Sequence, residues 1–299
     1  SVTGVQTCAL PIFPPVIMAE LRAVNHDVNT KEGISGIDMP VIGLGVWMMS
    51  QPGECLQAVT NAISIGYRLI DTARAYGNEK EVGEAIRDSS VPREEITVVT
   101  KLRRVHATGY ESTIEHCRLS LELLGLEHID LYLVHAPPED PTAREPVWRA
   151  MEDLLSEGMV RSIGVSNYGL HHLEHLKSYA RVLPSVNQVE LNPWIQRKEL
   201  HQATKDIGAL TMAYSPLARG QKAQDRQLES MCEGLGFTAP QAAIKWCMDN
   251  GAVVIPKSSH PGRQLENFQS VDVDLSEIID KMNQLDSNYV SGWDPTVEP

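Results

Sequence analysis

The chain has 299 residues, of which 42% are hydrophobic, and a formal net charge of −13 from 26 basic and 39 acidic side chains. This length suits one large α/β domain or two small ones, and the hydrophobic content argues against a disordered chain. The acidity makes non-specific nucleic-acid binding a poor interpretation, although one local basic pocket could still bind a phosphate. No apolar run approaches the roughly 18 residues that span a bilayer, so we expect no membrane partner.

The N-terminus and the cysteines say little about function. Residues 1–12 lack the basic region of a signal peptide and resemble a translated sequencing adapter. We therefore exclude residues 1–17 from the fold and expect the native chain to begin at Met18. Because the cysteines show no paired or metal-like spacing, we expect reduced thiols, no metal site and a cytoplasmic location. The five are Cys8, Cys55, Cys117, Cys232 and Cys247.

Beyond Pro40, short apolar runs alternate with amphipathic stretches. The apolar runs predict eight strands, at 41–46, 68–72, 96–101, 129–135, 162–166, 185–190, 210–215 and 253–256. The amphipathic stretches predict helices at 54–65, 79–87, 112–124, 146–156, 170–179, 197–207, 240–248 and 262–268.

This alternation indicates the fold class. Near-continuous apolar strands, each followed by a helix, are typical of parallel strands covered by helices. Eight repeats in about 250 residues favour an α/β fold of the (β/α)8 barrel type. No Gly-x-Gly-x-x-Gly follows a strand, which weakens the doubly wound alternative. We expect a single domain over residues 18–299, with a hairpin in 28–40 closing the N-terminal end of the barrel and an extra helix at 276–285.

Four polar residues lie at or just beyond the ends of successive strands. They are Asp71, Tyr76, Lys101 and His135. In a parallel barrel the carboxyl ends of the strands form the catalytic rim. An ammonium near a phenol favours the phenolate, so we expect Lys101, oriented by Asp71, to lower the pKa of Tyr76. Such a phenol could donate a proton to a carbonyl oxygen while a hydride arrives at its carbon.

The segment Gly66–Glu79, together with Leu133-Val134-His135 and Val254-Ile255-Pro256-Lys257-Ser258, resembles the signatures of the aldo-keto reductase family. The resemblance extends from about Pro40 to Asp294. It implies a (β/α)8 barrel that reduces aldehydes and ketones with NADPH. It further implies Tyr76 as general acid, Asp71 and Lys101 as the residues that tune it, and His135 as the residue that orients the substrate.

The later strands match the cofactor side of the family. Ser166, Asn167 and Gln188 correspond to contacts of the nicotinamide amide, and Tyr214 to the residue that stacks on the ring. Ser215 and Leu217 begin a loop that offers donors to a pyrophosphate, as is common after strands seven and eight. Lys257, Ser258, Ser259 and Arg263 supply charge and donors that fit a 2′-phosphate, hence NADPH rather than NADH. Glu266 and Asn267 resemble adenine and ribose contacts.

The sequence also departs from the family. Ala136 follows His135 where many relatives have Trp, and Leu102-Arg103 follows Lys101 where an aromatic residue is often found. We expect a wider substrate pocket with Trp47 as its remaining aromatic wall. Arg103 and Arg104 either attract acidic substrates or are ordinary exposed residues.

The main interpretation is a monomeric reductase of small carbonyls. It would be similar to the bacterial and fungal relatives that act on methylglyoxal or 2,5-diketo-gluconate. The alternative is a non-catalytic barrel that binds NADPH in a regulatory or structural role. A barrel isomerase or aldolase would need a Schiff-base or metal site, and no cluster of metal ligands stands out in the sequence.

Overall fold

A computed structural model describes residues 19–299, and the prediction for residues 1–17 falls outside this range. Two antiparallel strands come first, β1 (Glu20–His26) and β2 (Gly33–Pro40). Eight parallel strands follow in chain order: β3 (Leu44–Gly45), β4 (Leu69–Asp71), β5 (Thr97–Leu102), β6 (Leu131–Val134), β7 (Ile163–Ser166), β8 (Val186–Glu190), β9 (Leu210–Tyr214) and β10 (Val253–Ile255). The first and last of these are joined by backbone bonds such as Gly43 N to the Val254 carbonyl at 2.8 Å. The predicted (β/α)8 barrel is therefore confirmed.

Helices cover the outside of the barrel. They are α1 (Glu54–Ile65), α2 (Glu79–Arg87), α3 (Tyr110–Leu124), α4 (Arg144–Ser156), α5 (Leu170–Tyr179), α6 (Lys198–Asp206), α7 (Arg226–Cys232), α8 (Ala239–Asp249), α9 (Pro261–Phe268) and α10 (Ile279–Met282). Helix α7 is absent from the sequence prediction, and α10 is shorter than the predicted 276–285. The turns after α10 close by i to i+3 bonds, from Gln284 N to Lys281 and from Leu285 N to Met282, which tighten the chain. Between residues 19 and 299, no helix is long and apolar enough to cross a membrane.

The hairpin closes the N-terminal end of the barrel. Its side chains Ala23, Ile37 and Met39 belong to the same buried cluster as the inward-facing residues of the barrel strands. Asn25, fully buried, binds the backbone of Ile163 at the start of β7 through both its amide oxygen and its amide nitrogen. The plug is confirmed, but the hairpin begins at Glu20 rather than at residue 28.

Side chains of the barrel strands alternate between two cores. Leu69, Val99 and Leu131 pack inside the barrel, whereas their chain neighbours Ile70 and Val98 pack under the helices. This is the expected alternation of a strand buried on both faces. It fixes which residue at the end of each strand points into the mouth of the barrel.

Candidate active site at the carboxyl ends of the strands

The alternation brings polar side chains from several strands to the inner side of the barrel mouth. At the ends of β4 to β9 these inward positions are Asp71, Lys101, His135, Ser166, Gln188 and Tyr214. All six are residues that the sequence singles out, because a polar side chain replaces an apolar one at an inward position of each strand. Gln188 lies two residues before the end of β8, whose last inward residue is the buried Glu190.

Asp71 and Lys101 form a buried ion pair at the centre of the mouth. Lys101 Nζ donates to Asp71 Oδ1 at 2.7 Å and to the Thr72 carbonyl at 2.8 Å, and Gln188 Nε2 donates to Asp71 Oδ2 at 2.7 Å. The side chains of Lys101 and Asp71 are only 0% and 3% exposed. Burial raises the pKa of Asp71 and lowers the pKa of Lys101, and the attraction within the pair opposes both shifts.

Tyr76 lies beside this pair in a short 3-10 turn after β4. Gly77 ends the turn with φ of 72°, a left-handed conformation that favours glycine. Lys101 Nζ is 5.1 Å from the centroid of the Tyr76 ring. The ring meets His135 edge-on, with centroids 5.6 Å apart and an interplanar angle of 76°. The acid, the phenol, the ammonium and the imidazole therefore form one cluster.

The direction of the pKa shift of Tyr76 differs from the expectation. Burial, and then the negative charge of Asp71, raise the pKa of Tyr76 well above its ordinary value. The predicted lowering of this pKa by Lys101 is wrong for this structure. The ammonium is already paired with Asp71, while removal from water disfavours the phenolate. Tyr76 consequently keeps its proton at neutral pH.

His135 is neutral in this environment. Burial, followed by the charges of Lys101 and Arg103, lowers its pKa to about 3. A neutral imidazole has one N–H donor and one acceptor nitrogen. It can thus donate a hydrogen bond to an oxygen in the mouth without carrying a charge.

The family of the chain follows from a comparison with known proteins. The sequence model of the Aldo/keto reductase family matches residues 41–289, a range that contains the whole barrel and the four clustered residues. The chain belongs to the aldo/keto reductase family.

Relatives of this aldo-keto reductase include several enzymes. It is 42% identical over 266 residues to a 9,11-endoperoxide prostaglandin H2 reductase of Trypanosoma cruzi, covering 88% of this chain and 92% of that protein. It is 40% identical over 262 residues to a glyoxal reductase of Bacillus subtilis, covering 87% and 94%. A crystal structure of MGS-M4, an aldo-keto reductase enzyme from a Medee basin deep-sea metagenome library, superposes with a TM-score of 0.82 at 38% identity, covering 91% and 96%. The family and the glyoxal reductase among these relatives support carbonyl reduction, an oxidoreductase activity.

Hydrogen bonds join the predicted nicotinamide side of this aldo-keto reductase to its candidate catalytic side. Asn167, at φ of 62°, donates through Nδ2 to the His135 carbonyl at 2.9 Å and accepts from the Tyr214 hydroxyl at 2.8 Å. Ser166 Oγ donates to the Gln188 carbonyl at 2.9 Å. Since Gln188 also binds Asp71, hydrogen bonds connect the two sides.

The loop after β9 has an unusual backbone. Ser215, Ala218 and Arg219 have φ of 51°, 46° and 55°, in the left-handed region that side chains other than glycine and asparagine rarely adopt. Strain of this kind gathers at ligand sites more often than elsewhere. Leu217, partly buried, lies in the same loop. The loop is the one that the sequence assigns to a pyrophosphate.

The predicted adenosine side surrounds the start of α9. Lys257 and Arg263 are exposed, and neither forms an ion pair with any residue in 19–299. Ser258 is buried and its carbonyl accepts from Gln264. Three further predicted residues lie nearby. Ser259 is partly buried and Asn267 is buried. Glu266 accepts a hydrogen bond from the Thr238 hydroxyl at 2.8 Å.

Two predicted pocket residues have different environments. Trp47 is 38% exposed at the mouth, and the guanidinium of Arg219 lies 4.7 Å from its ring centroid. Ala136 is fully buried, so its methyl group is covered rather than part of an open wall. The wider pocket therefore stays a prediction.

Sequence reasoning missed two residues of these loops. Arg219 links two loops, since it stacks on Trp47 and its guanidinium lies against Gly292 of the C-terminal tail. His260 is the N-cap of α9, between Ser259 and the Pro261 that begins the helix. The proline at the first helical position was the available signal for a cap at His260.

Proposed function

We propose that this aldo-keto reductase reduces small aldehydes and ketones to alcohols with NADPH, and that Tyr76 is the general acid. One observation carries the proposal: a protonated phenol lies between a buried ion pair and a neutral imidazole at the mouth of the barrel. The bound cofactor supplies the hydride. Tyr76 donates its proton to the carbonyl oxygen as negative charge develops there.

The neighbouring residues orient and stabilise this proton donor. His135 donates a hydrogen bond to the same carbonyl oxygen, which its neutral state permits. The Lys101 ammonium lies 5.1 Å from the centroid of the Tyr76 ring and would offset part of the negative charge that develops as the proton leaves. Asp71 keeps the ammonium in position at 2.7 Å.

The residues of the later loops fit a nicotinamide dinucleotide, the cofactor class that aldo-keto reductases generally use. Ser166, Asn167 and Gln188 would bind the carboxamide, and the ring of Tyr214 would pack against the nicotinamide. The left-handed loop at Ser215 would face the pyrophosphate. Two exposed cations without ion pairs among residues 19–299, Lys257 and Arg263, support a 2′-phosphate and hence NADPH.

Turnover of NADPH tests the proton donor. The decrease of NADPH absorbance is followed with a panel of aldehydes, ketones and keto acids, for wild type and Tyr76→Phe. Loss of a general acid lowers kcat by about 10²–10⁴-fold. Tyr179→Phe removes a phenol from a partly buried position on α5 and should leave turnover unchanged. Equal turnover by wild type and Tyr76→Phe would exclude Tyr76 as the acid.

Affinity for the two cofactors tests the phosphate site. Lys257→Ala and Arg263→Ala should each weaken NADPH binding about tenfold or more, the effect of losing a hydrogen bond to a charged group, with little effect on NADH. Lys80→Ala, an exposed position on α2, is the matched control. Equal losses for NADPH and NADH would remove the 2′-phosphate from this site.

A second interpretation and several properties stay predictions. An NADPH-binding regulatory or structural barrel would bind the cofactor and turn over none of the carbonyls in the panel. A single domain, a monomeric state and a cytoplasmic location also stay predictions.

A further inference from the structure

Two adjacent arginines follow β5, and their surroundings differ. Arg104 is occupied: it donates through Nε to the Pro137 carbonyl at 2.8 Å and pairs with Glu298 at 2.7 Å, and its guanidinium lies 5.2 Å from the centroid of the Trp293 ring. Arg103 is exposed, and its side chain forms no hydrogen bond or ion pair with any residue from 19 to 299. Only Arg103 therefore has a guanidinium that a bound molecule can use without breaking an existing contact.

The register of β5 places Arg103 close to the candidate catalytic residues. Val99 faces the barrel interior and Leu102 belongs to the outer core, so Lys101 faces inward. Arg103 comes directly after the end of β5 and keeps an open backbone, with φ of −62° and ψ of 136°. Its Cα therefore lies about 7 Å beyond that of Lys101, at the carboxyl end of the strand, from where an arginine is long enough to contact a molecule bound at the mouth.

The charges around the mouth agree with this placement. The charge of Arg103 contributes, after burial and Lys101, to the low pKa of His135. Burial, followed by His116, Arg103 and Arg74, lowers the pKa of His106 in the same region. The Nε of Arg74 is buried without a hydrogen-bond partner among residues 19–299. Lys101 and Arg103 thus place positive charge beside His135 in a chain of net charge −13.

We propose that Arg103 selects carbonyl substrates that carry a carboxylate next to the carbonyl carbon, the α-keto acids. This inference rests on the carbonyl reduction proposed above. The planar guanidinium binds both oxygens of a carboxylate, which an ammonium cannot do with the same geometry. The carboxylate takes no part in the chemistry: the hydride forms a C–H bond at the carbonyl carbon, the C=O π bond breaks, and the oxygen takes the proton of Tyr76.

The test compares an acid with its own methyl ester. Phenylglyoxylate and methyl phenylglyoxylate share the same ketone and ring and differ in the negative charge. Arg103→Ala should lower kcat/KM for the acid by about 10–100-fold, mainly through KM, because a hydrogen bond to a charged group is lost. The ester should change by less than about twofold. Arg103→Lys should recover part of the loss, since a lysine restores the charge but cannot bind both carboxylate oxygens with a planar guanidinium.

Arg118→Ala is the matched control, because Arg118 is exposed on α3 away from the strand ends. It should leave both substrates unchanged. An equal fall for acid and ester in Arg103→Ala, or no fall for the acid, would overturn the role of Arg103. Absence of turnover of the whole panel of aldehydes, ketones and keto acids by wild type would refute the proposed reduction and, with it, this inference. Turnover of the ester by wild type with no turnover of the acid would refute the inference alone.

Discussion

The ion pair of Asp71 and Lys101 allows a quantitative prediction about stability. Both side chains are almost completely buried and lie 2.7 Å apart. Asp71→Asn removes the charge while keeping the size. The two carboxylate oxygens now accept from Lys101 and Gln188, both of which are donors. The new amide nitrogen must face one of them: facing Lys101 it brings two donors into contact, and facing Gln188 it requires the Gln188 amide to flip.

The expected loss follows from the uncompensated charge. Removing one partner of a buried pair costs about 3–5 kcal/mol, a large part of the roughly 5–15 kcal/mol by which domains are stable. The assay is urea unfolding at pH 7, followed by the fluorescence of the five tryptophans. Asp38→Asn is the matched control, because Asp38 pairs with Arg22 at 2.8 Å with both side chains more than half exposed. Such a surface pair contributes about 0–1 kcal/mol.

A double variant separates the charge from the contacts. Lys101→Met replaces the ammonium by an apolar side chain of similar length. If the cost of Asp71→Asn comes from a stranded charge, the double variant Asp71→Asn/Lys101→Met should be about 2–3 kcal/mol more stable than the sum of the single losses. Additive losses, or a loss below about 1 kcal/mol for Asp71→Asn alone, would refute the reasoning.

Two further predictions concern packing and pH. Gly83→Ala on α2 would bring a Cβ within 1.9 Å of the Leu124 carbonyl. It should cost about 3 kcal/mol, the upper end for overpacking, whereas exposed Lys80→Ala should stay within about 0.5 kcal/mol by urea unfolding. The pKa of His135 is lowered to about 3, so the unfolded chain takes up a proton at this histidine near pH 6.5 but the folded chain only near pH 3. The folded state therefore loses stability as the pH falls from 6.5 toward 3. His135→Asn should therefore flatten this fall by up to roughly 5 kcal/mol. Parallel curves of stability against pH for His135→Asn and wild type would contradict the assignment.

The barrel and the inward residues of its mouth could be read from the sequence because both depend on local periodicity. The apolar residues before Asp71 and Lys101 identify each strand without reference to distant parts of the chain. The alternation of side chains along the strand then decides which face its last residue takes. The helix ends were similarly close, since proline and glycine mark them locally. For example, 170–179 was predicted and observed without change.

Features that depend on distant partners could not be read in this way. Strand β1 contains Asn25, which looks like a loop residue until its amide meets the backbone of Ile163, 138 residues away. The different environments of Arg103 and Arg104 likewise depend on the tail, because Glu298 and Trp293 occupy one arginine and leave the other exposed. Two neighbouring identical residues in a sequence carry no signal that separates them.

The pKa of Tyr76 was beyond the sequence for a related reason. Burial and the negative charge of Asp71 both favour the phenol, so they raise this pKa together. The sequence brings these groups together, but it does not show that the positive charge of Lys101 is paired with Asp71 inside the protein. The outcome bears on how Tyr76 can act as an acid in the proposed reaction. A tyrosine is protonated at neutral pH even at its ordinary pKa of about 10, so the raised pKa makes Tyr76 a weaker acid rather than a readier donor. Proton transfer to a carbonyl therefore depends on the positive charge of Lys101 beside the ring as the proton leaves.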